Sequence, residues 1–201
     1  MTAGTARPGG RTARVRAAVL QATYAELVAH GYAGLTVENV AERAGVHKTT
    51  VYRRWESVDG LIADALEPGA ADWTPPDTGS LEQDLIVIAT ELVRVFGDPE
   101  QRAVPEAVVV AAFQSSRAVE ALRRFYASRH ARAAQVVTRA IERGELPAGT
   151  DPVEVVRLTC APVFYRVFIT REPVDDAVGR RAAQAALVAA RAGVLVSDQN
   201  S

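Results

Sequence analysis

A chain of 201 residues is long enough to bury a substantial core as one medium domain or two small ones. Its formal net charge of −1 argues against a protein that coats nucleic acid through bulk charge, and its single cysteine, Cys160, excludes an internal disulfide. Apolar residues make up 48% of the sequence and aromatics 6%, and strand-like alternation is scarce, so the fold class read from it is all-α.

The first ten residues are small, polar and rich in Gly and Pro, and read as a disordered basic arm over 1–10. A first helix is expected from Arg11 to His30, with Val15, Ala18, Val19, Ala22, Ala25 and Ala29 as its buried stripe and Gly31 as its end. Thr36 is placed to cap a short second helix whose apolar stripe is Val37, Val40, Ala41 and Ala44. Gly45 supplies a tight turn, and a third short helix follows with Val51 and Trp55 facing inward. Lys48, Thr49, Tyr52 and Arg53 share its other face. Basic, hydroxyl and aromatic groups together on one exposed helix suit phosphates and base edges. The distribution of charge agrees, because residues 1–60 carry eight Arg and Lys against five Asp and Glu.

Ser57 can cap a fourth helix that stops at Pro68 and Gly69, and the Pro- and Gly-bearing stretch 68–80 reads as a linker. Helices 5 to 7 are expected at 81–97, 102–115 and 117–143, helix 8 from Asp151 to Thr170, and helix 9 at 174–196. Pro162 cannot donate to the carbonyl of Leu158, so a kink is expected inside helix 8. The domains are therefore 11–67 for DNA binding, with helix 4 as connector, and 81–201 as a helical bundle.

Most aromatics of that bundle suit plain core, but a few would line a cavity between helices, where bundles hold ligands. Phe113, Tyr126, Cys160, Phe164 and Tyr165 are the candidates, with Gln114 and Arg157 as polar groups to orient a ligand. His30, His47 and His130 are scattered, so no metal or cofactor is expected. No phosphate loop, nucleophile elbow or paired-carboxylate motif appears, which leaves an enzyme without a catalytic constellation. There is no signal peptide and no long apolar span, and the expectation is a cytoplasmic protein with no membrane partner.

Gly31-Tyr32, the Thr36–Ala44 helix, Ala44-Gly45-Val46 and the run Lys48-Thr49-Thr50-Val51-Tyr52-Arg53-Arg54-Trp55 together resemble the TetR (tetracycline-repressor-like) family over about 15–66. The remainder is similar to a helical regulatory domain of that family, through Asp77-Thr78-Gly79-Ser80-Leu81, Arg143-Gly144-Glu145-Leu146 and Ala161-Pro162-Val163-Phe164-Tyr165-Arg166. The resemblance implies a homodimeric, ligand-responsive transcriptional regulator, usually a repressor released from an operator by a small-molecule effector. It implies phosphate contacts from Thr50 and Tyr52, base-edge or phosphate contacts from Lys48 and Thr49, base reading by His47 and backbone contacts from Arg53 and Arg54. Thr36 remains a phosphate candidate. Relatives often carry a lysine at the start of helix 4; Val58-Asp59 stands there in this chain, and Arg14 or Arg16 is the candidate to compensate. Arg7 and Arg11 could enter a minor groove from a disordered arm or touch nothing.

The ninth helix carries Ala182, Ala183, Ala186, Ala189, Ala190 and Gly193 with Leu187 and Val188 among them, so it needs cover on several sides. Helices 8 and 9 pairing with their mates in a homodimer would provide it; packing on its own domain is the alternative. A ligand-free architectural DNA binder shares every N-terminal feature and would differ in having a solid second domain.

Overall fold

The computed structural model describes residues 9–66 and 73–197, all helix, turn and loop apart from one isolated bridge between Thr150 and Val196. The helices are α1 (Gly9–Gly34), α2 (Val37–Arg43), α3 (Lys48–Trp55), α4 (Val58–Leu66), α5 (Leu81–Gly97), α6 (Pro99–Ala112), α7 (Ser116–Glu142), α8 (Pro152–Phe164) and α9 (Asp176–Arg191). A π-helical segment, Tyr165–Thr170, extends α8. Among the described residues no helix is long and apolar enough to cross a membrane. The arm residues 1–8, with Arg7, residue 67 and the first part of the expected linker, 68–72, lie outside the described residues.

The chain divides into two compact units. One holds Met1–Gly69 together with Ala103–Arg123, and the other holds Ala70–Arg102 with Arg124–Ser201. This differs from the sequential division expected above, because a segment from the middle of the chain joins the N-terminal helices. Arg117, at the start of α7, shows why: its guanidinium donates to the Trp55 carbonyl at 3.2 Å and meets the Glu56 carboxylate at 3.3 Å. The last carbonyls of α3 lack intrahelical donors, and a cation near them is favoured by the helix dipole.

In the first unit α1 is interrupted at Gly31, whose φ of 65° and ψ of −173° end the helical run where glycine was expected to end it. Its buried face is Val19, Ala22, Thr23, Glu26 and Leu27; Ala29, assigned to the stripe from sequence, is exposed, because the helix turns that position to solvent. Thr36 caps α2, accepting from the Asn39 amide at 3.1 Å. The helix closes through the paired bonds Gly45 N–H to Glu42 and Val46 N–H to Ala41, both 3.0 Å, with Gly45 at φ +64°. That C-terminal geometry requires the left-handed region, which glycine enters without a Cβ penalty.

In the second unit α5, α8 and α9 pack on one another over Leu81, Leu85, Ile88, Val155, Val156, Cys160, Ala183 and Leu187, with Val136, Val137 and Ala140 of α7. Residues 73–80 are tied to this unit rather than forming a free linker. Trp73 packs against the core, its indole donates to Glu91 at 2.6 Å, and Thr78 donates twice to the fully buried Asp84 at 2.8 Å. The α6 helix starts three residues earlier than expected because Asp98 accepts from the Glu100 amide at 2.8 Å and Pro99 fits the first helical position. At Pro162 the disturbance expected from the missing donor takes the form of the π-helical segment that follows it.

Candidate nucleic-acid interface

Helix α3 is held from behind. Val51 and Trp55 are buried, and the Trp55 indole donates to Asp64 Oδ2 at 2.8 Å. Arg16 of α1 closes on both oxygens of the same carboxylate, with Nε to Oδ2 and Nη2 to Oδ1 each at 3.2 Å. Burial raises the Asp64 pKa, but the bonds from Arg16 and Trp55 outweigh it and leave the group below its ordinary 3.8. One carboxylate therefore joins α1, α3 and α4. Arg16, a candidate for DNA from sequence, is committed to this anchor; Asp64 gave no signal in the sequence beyond its place one turn past a glycine.

The joint after α3 is tight. Glu56 has φ +66°, and the Ser57 amide reaches back to the Trp55 carbonyl at 2.7 Å. A Cβ at Gly60 would lie 2.0 Å from that same carbonyl oxygen, so only glycine fits there. The Ser57 hydroxyl accepts from the Gly60 amide at 3.3 Å, the helix-4 cap read from sequence.

The other face of α3 is exposed at His47, Lys48, Thr49, Tyr52, Arg53 and Arg54, with Thr50 half-buried. The Tyr52 hydroxyl donates to Glu38 Oε1 at 3.3 Å, and Lys48 Nζ lies 4.0 Å from the same oxygen. The Glu38 charge raises the Tyr52 pKa, with burial and the bond adding to it, so the hydroxyl stays a neutral donor. The His47 ring nitrogen Nδ1 lies 3.1 Å from the Thr49 hydroxyl, and Arg54 stacks over Trp55 at 5.2 Å. Thr36 is exposed, its hydroxyl oxygen used by the cap but its hydrogen still available to an acceptor.

A groove of about 960 Å³ runs beside the helix, lined by Arg11, Thr12, His47, Thr50, Arg53 and Arg54 among others. Arg14 does not line it; it is exposed on α1 and bonded to the Gly10 carbonyl at 3.2 Å. Arg11, the first residue of helix 1 as read from sequence, is helical and lines the groove. Asp59, standing where relatives often have lysine, instead accepts from Tyr32 at 3.3 Å. Burial first, and then the Asp59 charge, raise the Tyr32 pKa. A cationic concave wall beside an exposed helix bearing donors is what a phosphate backbone and a major groove require.

Residues 19–65 match the family described as bacterial regulatory proteins, tetR family, and residues 75–186 match the tetracyclin repressor-like C-terminal domain. The chain belongs to the TetR family. It is a helix-turn-helix transcriptional regulator of that family and not an enzyme. It is 36% identical over 167 residues to the HTH-type transcriptional regulator AqdR of Rhodococcus erythropolis, covering 82% of this chain and 79% of the relative. It is 30% identical over 196 residues to a DNA-binding transcriptional repressor TetR of Mycobacteroides abscessus, covering 94% and 98%. Among solved structures, the TetR-family regulator SCO0332 superposes with a TM-score of 0.70 at 31% identity over 87% of this chain and 97% of that one.

The five ligand candidates of this TetR-family chain separate in the structure. Phe113 is 85% exposed in the turn after α6, past the buried phase set by Val104, Ala107, Val108 and Ala111, and it belongs to the first unit. Tyr165 is 57% exposed, because Val163 and Val167 take the inward positions on either side of it. Tyr126, Cys160 and Phe164 come together in the second unit: the Tyr126 and Phe164 rings meet edge to face at 5.5 Å, and Phe164 adjoins Phe96 at 5.3 Å and Phe168 at 6.1 Å. Burial pushes the Cys160 thiol up to about 12 and raises Tyr126 strongly, so both are neutral donors. His130, 5.7 Å from the Tyr126 ring, is lowered by burial first and then by Arg157, which favours its neutral form. The sequence did not mark Arg129, one turn on from Tyr126, whose guanidinium lies 4.4 Å from the centre of the Trp73 ring.

Proposed function

We propose that the chain is a homodimeric repressor whose two α3 helices read a palindromic operator, and that a small molecule held by the second unit releases it. The observation that carries the reading is the exposed α3 face of Lys48, Thr49 and Tyr52 beside the groove of Arg11, Arg53 and Arg54. The repressor named among its relatives supports the sign of regulation. In this reading His47, Lys48 and Thr49 meet base edges, while Thr36, Thr50, Tyr52, Arg53, Arg54, Arg11 and Arg14 meet phosphates and fix register. The half-sites lie about one helical turn apart or slightly more.

Apolar exposure supports the dimer. Val188 on α9 is 61% exposed, Val194 71%, Ile169 67% and Tyr165 57%, and a second copy would cover them through α8, its π extension and α9. Tyr126, Cys160 and Phe164 are the ligand-lining residues of this reading, and the ligand acts only through its different affinity for operator-competent and operator-incompetent dimers. The protein works in the cytoplasm.

Selection from random duplex DNA, with the winners titrated at two salt concentrations, tests the reading. A palindromic winner is expected, with log K falling on log salt at a slope of about −0.9 per phosphate neutralised. Tyr52→Phe with Lys48→Ala should abolish the selected affinity; a double variant that binds like wild type refutes α3 as the reading helix.

A further inference from the structure

Tyr126, Arg129 and Cys160 surround a place in the second unit where donors outnumber acceptors. Tyr126 and Arg129 lie three residues apart on α7 and so on one face of it, and Cys160 stands across from them on α8. The Tyr126 ring meets Phe164 of α8 at 5.5 Å, and Cys160 lies one turn before Phe164 on that helix, which brings Cys160 to the same side. Among the described residues the Tyr126 hydroxyl has no hydrogen-bond partner, and Arg129 makes neither a hydrogen bond nor an ion pair; its contact is the face of Trp73. The neighbouring carboxylate, Glu91, is drawn to the Trp73 indole at 2.6 Å. Arg132 adds a second cation, with one guanidinium nitrogen on the Trp73 carbonyl at 3.1 Å.

A half-buried guanidinium and a half-buried phenol thus present donors that are not used within the described residues and that an arriving acceptor can meet. Tyrosine hydroxyl, thiol and guanidinium can all donate, and the guanidinium fork matches two oxygens of one carboxylate. The wall that adjoins them is apolar, formed by Phe164 against Phe96 and Phe168. Burial lowers the Arg129 pKa, with the Glu91 charge opposing it, the direction expected of a cation removed from water and not fully compensated.

We propose that this site takes an amphipathic organic anion, its carboxylate on Arg129 and Tyr126 and its apolar body against Phe164 and Cys160. The proposal rests on the reading that the second unit binds the effector, and it names the effector's chemical class. Arg129 sets the preference for charge, and Trp73, stacked on it, reports occupancy.

Isothermal titration of the full chain with 2-naphthoate and decanoate, each beside its neutral amide, tests it. The carboxylates should bind and change Trp73 fluorescence, the amides should bind at least tenfold more weakly, and Arg129→Gln should remove the difference while melting like wild type. Tyr126→Phe should weaken the carboxylates several-fold and leave the amides unchanged. Equal binding of acid and amide, an Arg129→Gln protein that still prefers the acid, or no binding of any of the four overturns the proposal. The effector reading is judged separately: release of a labelled operator by the amides, or by a panel of neutral and cationic compounds, would leave it standing while the anionic class falls.

Discussion

Truncating Asp64 to alanine should loosen α3 without touching its exposed face. The carboxylate accepts from the buried Trp55 indole at 2.8 Å and holds Arg16 by two contacts of 3.2 Å. Loss of the acceptor strands a buried N–H, which costs about 1–3 kcal/mol. Loss of the Arg16 pair, with side chains 31% and 24% exposed, adds at most about 1 kcal/mol. A total of about 2–3 kcal/mol moves a urea midpoint by about 1 M at an m-value of about 2 kcal/mol/M. Asp64→Asn keeps an oxygen for the indole and should lose about half as much. The pKa of Asp64 is depressed in the folded chain, so its contribution is full above the unfolded value near 3.8 and is lost as pH falls through the lower folded value. The gap between wild type and Asp64→Asn should accordingly close below about pH 4. Urea melts by circular dichroism read both effects, and a cycle with Trp55→Phe isolates the indole bond. If Asp64→Ala costs as much in the Trp55→Phe background as in wild type, Asp64 does not anchor Trp55 and the argument fails.

Gly60→Ala places a methyl 2.0 Å from the Trp55 carbonyl and should cost about 1–3 kcal/mol, seen as a lowered melting temperature. Glu38→Gln removes the charge that holds Tyr52 and Lys48 and would repel an arriving phosphate; it should tighten operator binding by about 2–5-fold at low salt, less at high salt, in fluorescence anisotropy. Val188→Asp puts a charge on the exposed apolar face of α9 and should give a monomer by light scattering with unchanged helicity; an unaltered dimer would place the interface elsewhere.

Periodicity and punctuation carry much of this protein. Thr36, Gly45, Ser57 and Gly31 mark helix ends through interactions made within a few residues, so they are legible along the chain, and so is the split of α3 into an inward face of Val51 and Trp55 and an outward one of Lys48, Thr49 and Tyr52. The all-α class and the family follow from the same local signals. Helical phase at a turn is less legible: Phe113 and Tyr165 look like pocket aromatics until the buried residues around them set the phase, and Ala29 looks like core.

What only the tertiary structure decided are the meetings between distant residues. Asp64 with Trp55 and Arg16, Arg117 with the end of α3, Tyr52 with Glu38, and Arg129 with Trp73 join positions from 9 to 62 residues apart. A polar side chain shows its type in sequence but not its partner, because the partner is fixed by how the helices pack and not by the spacing within either one. The sequence alone therefore determined that this chain carries a helix-turn-helix of the TetR family; the packing decided which carboxylate anchors α3 and which arginine in the second unit was left with open donors.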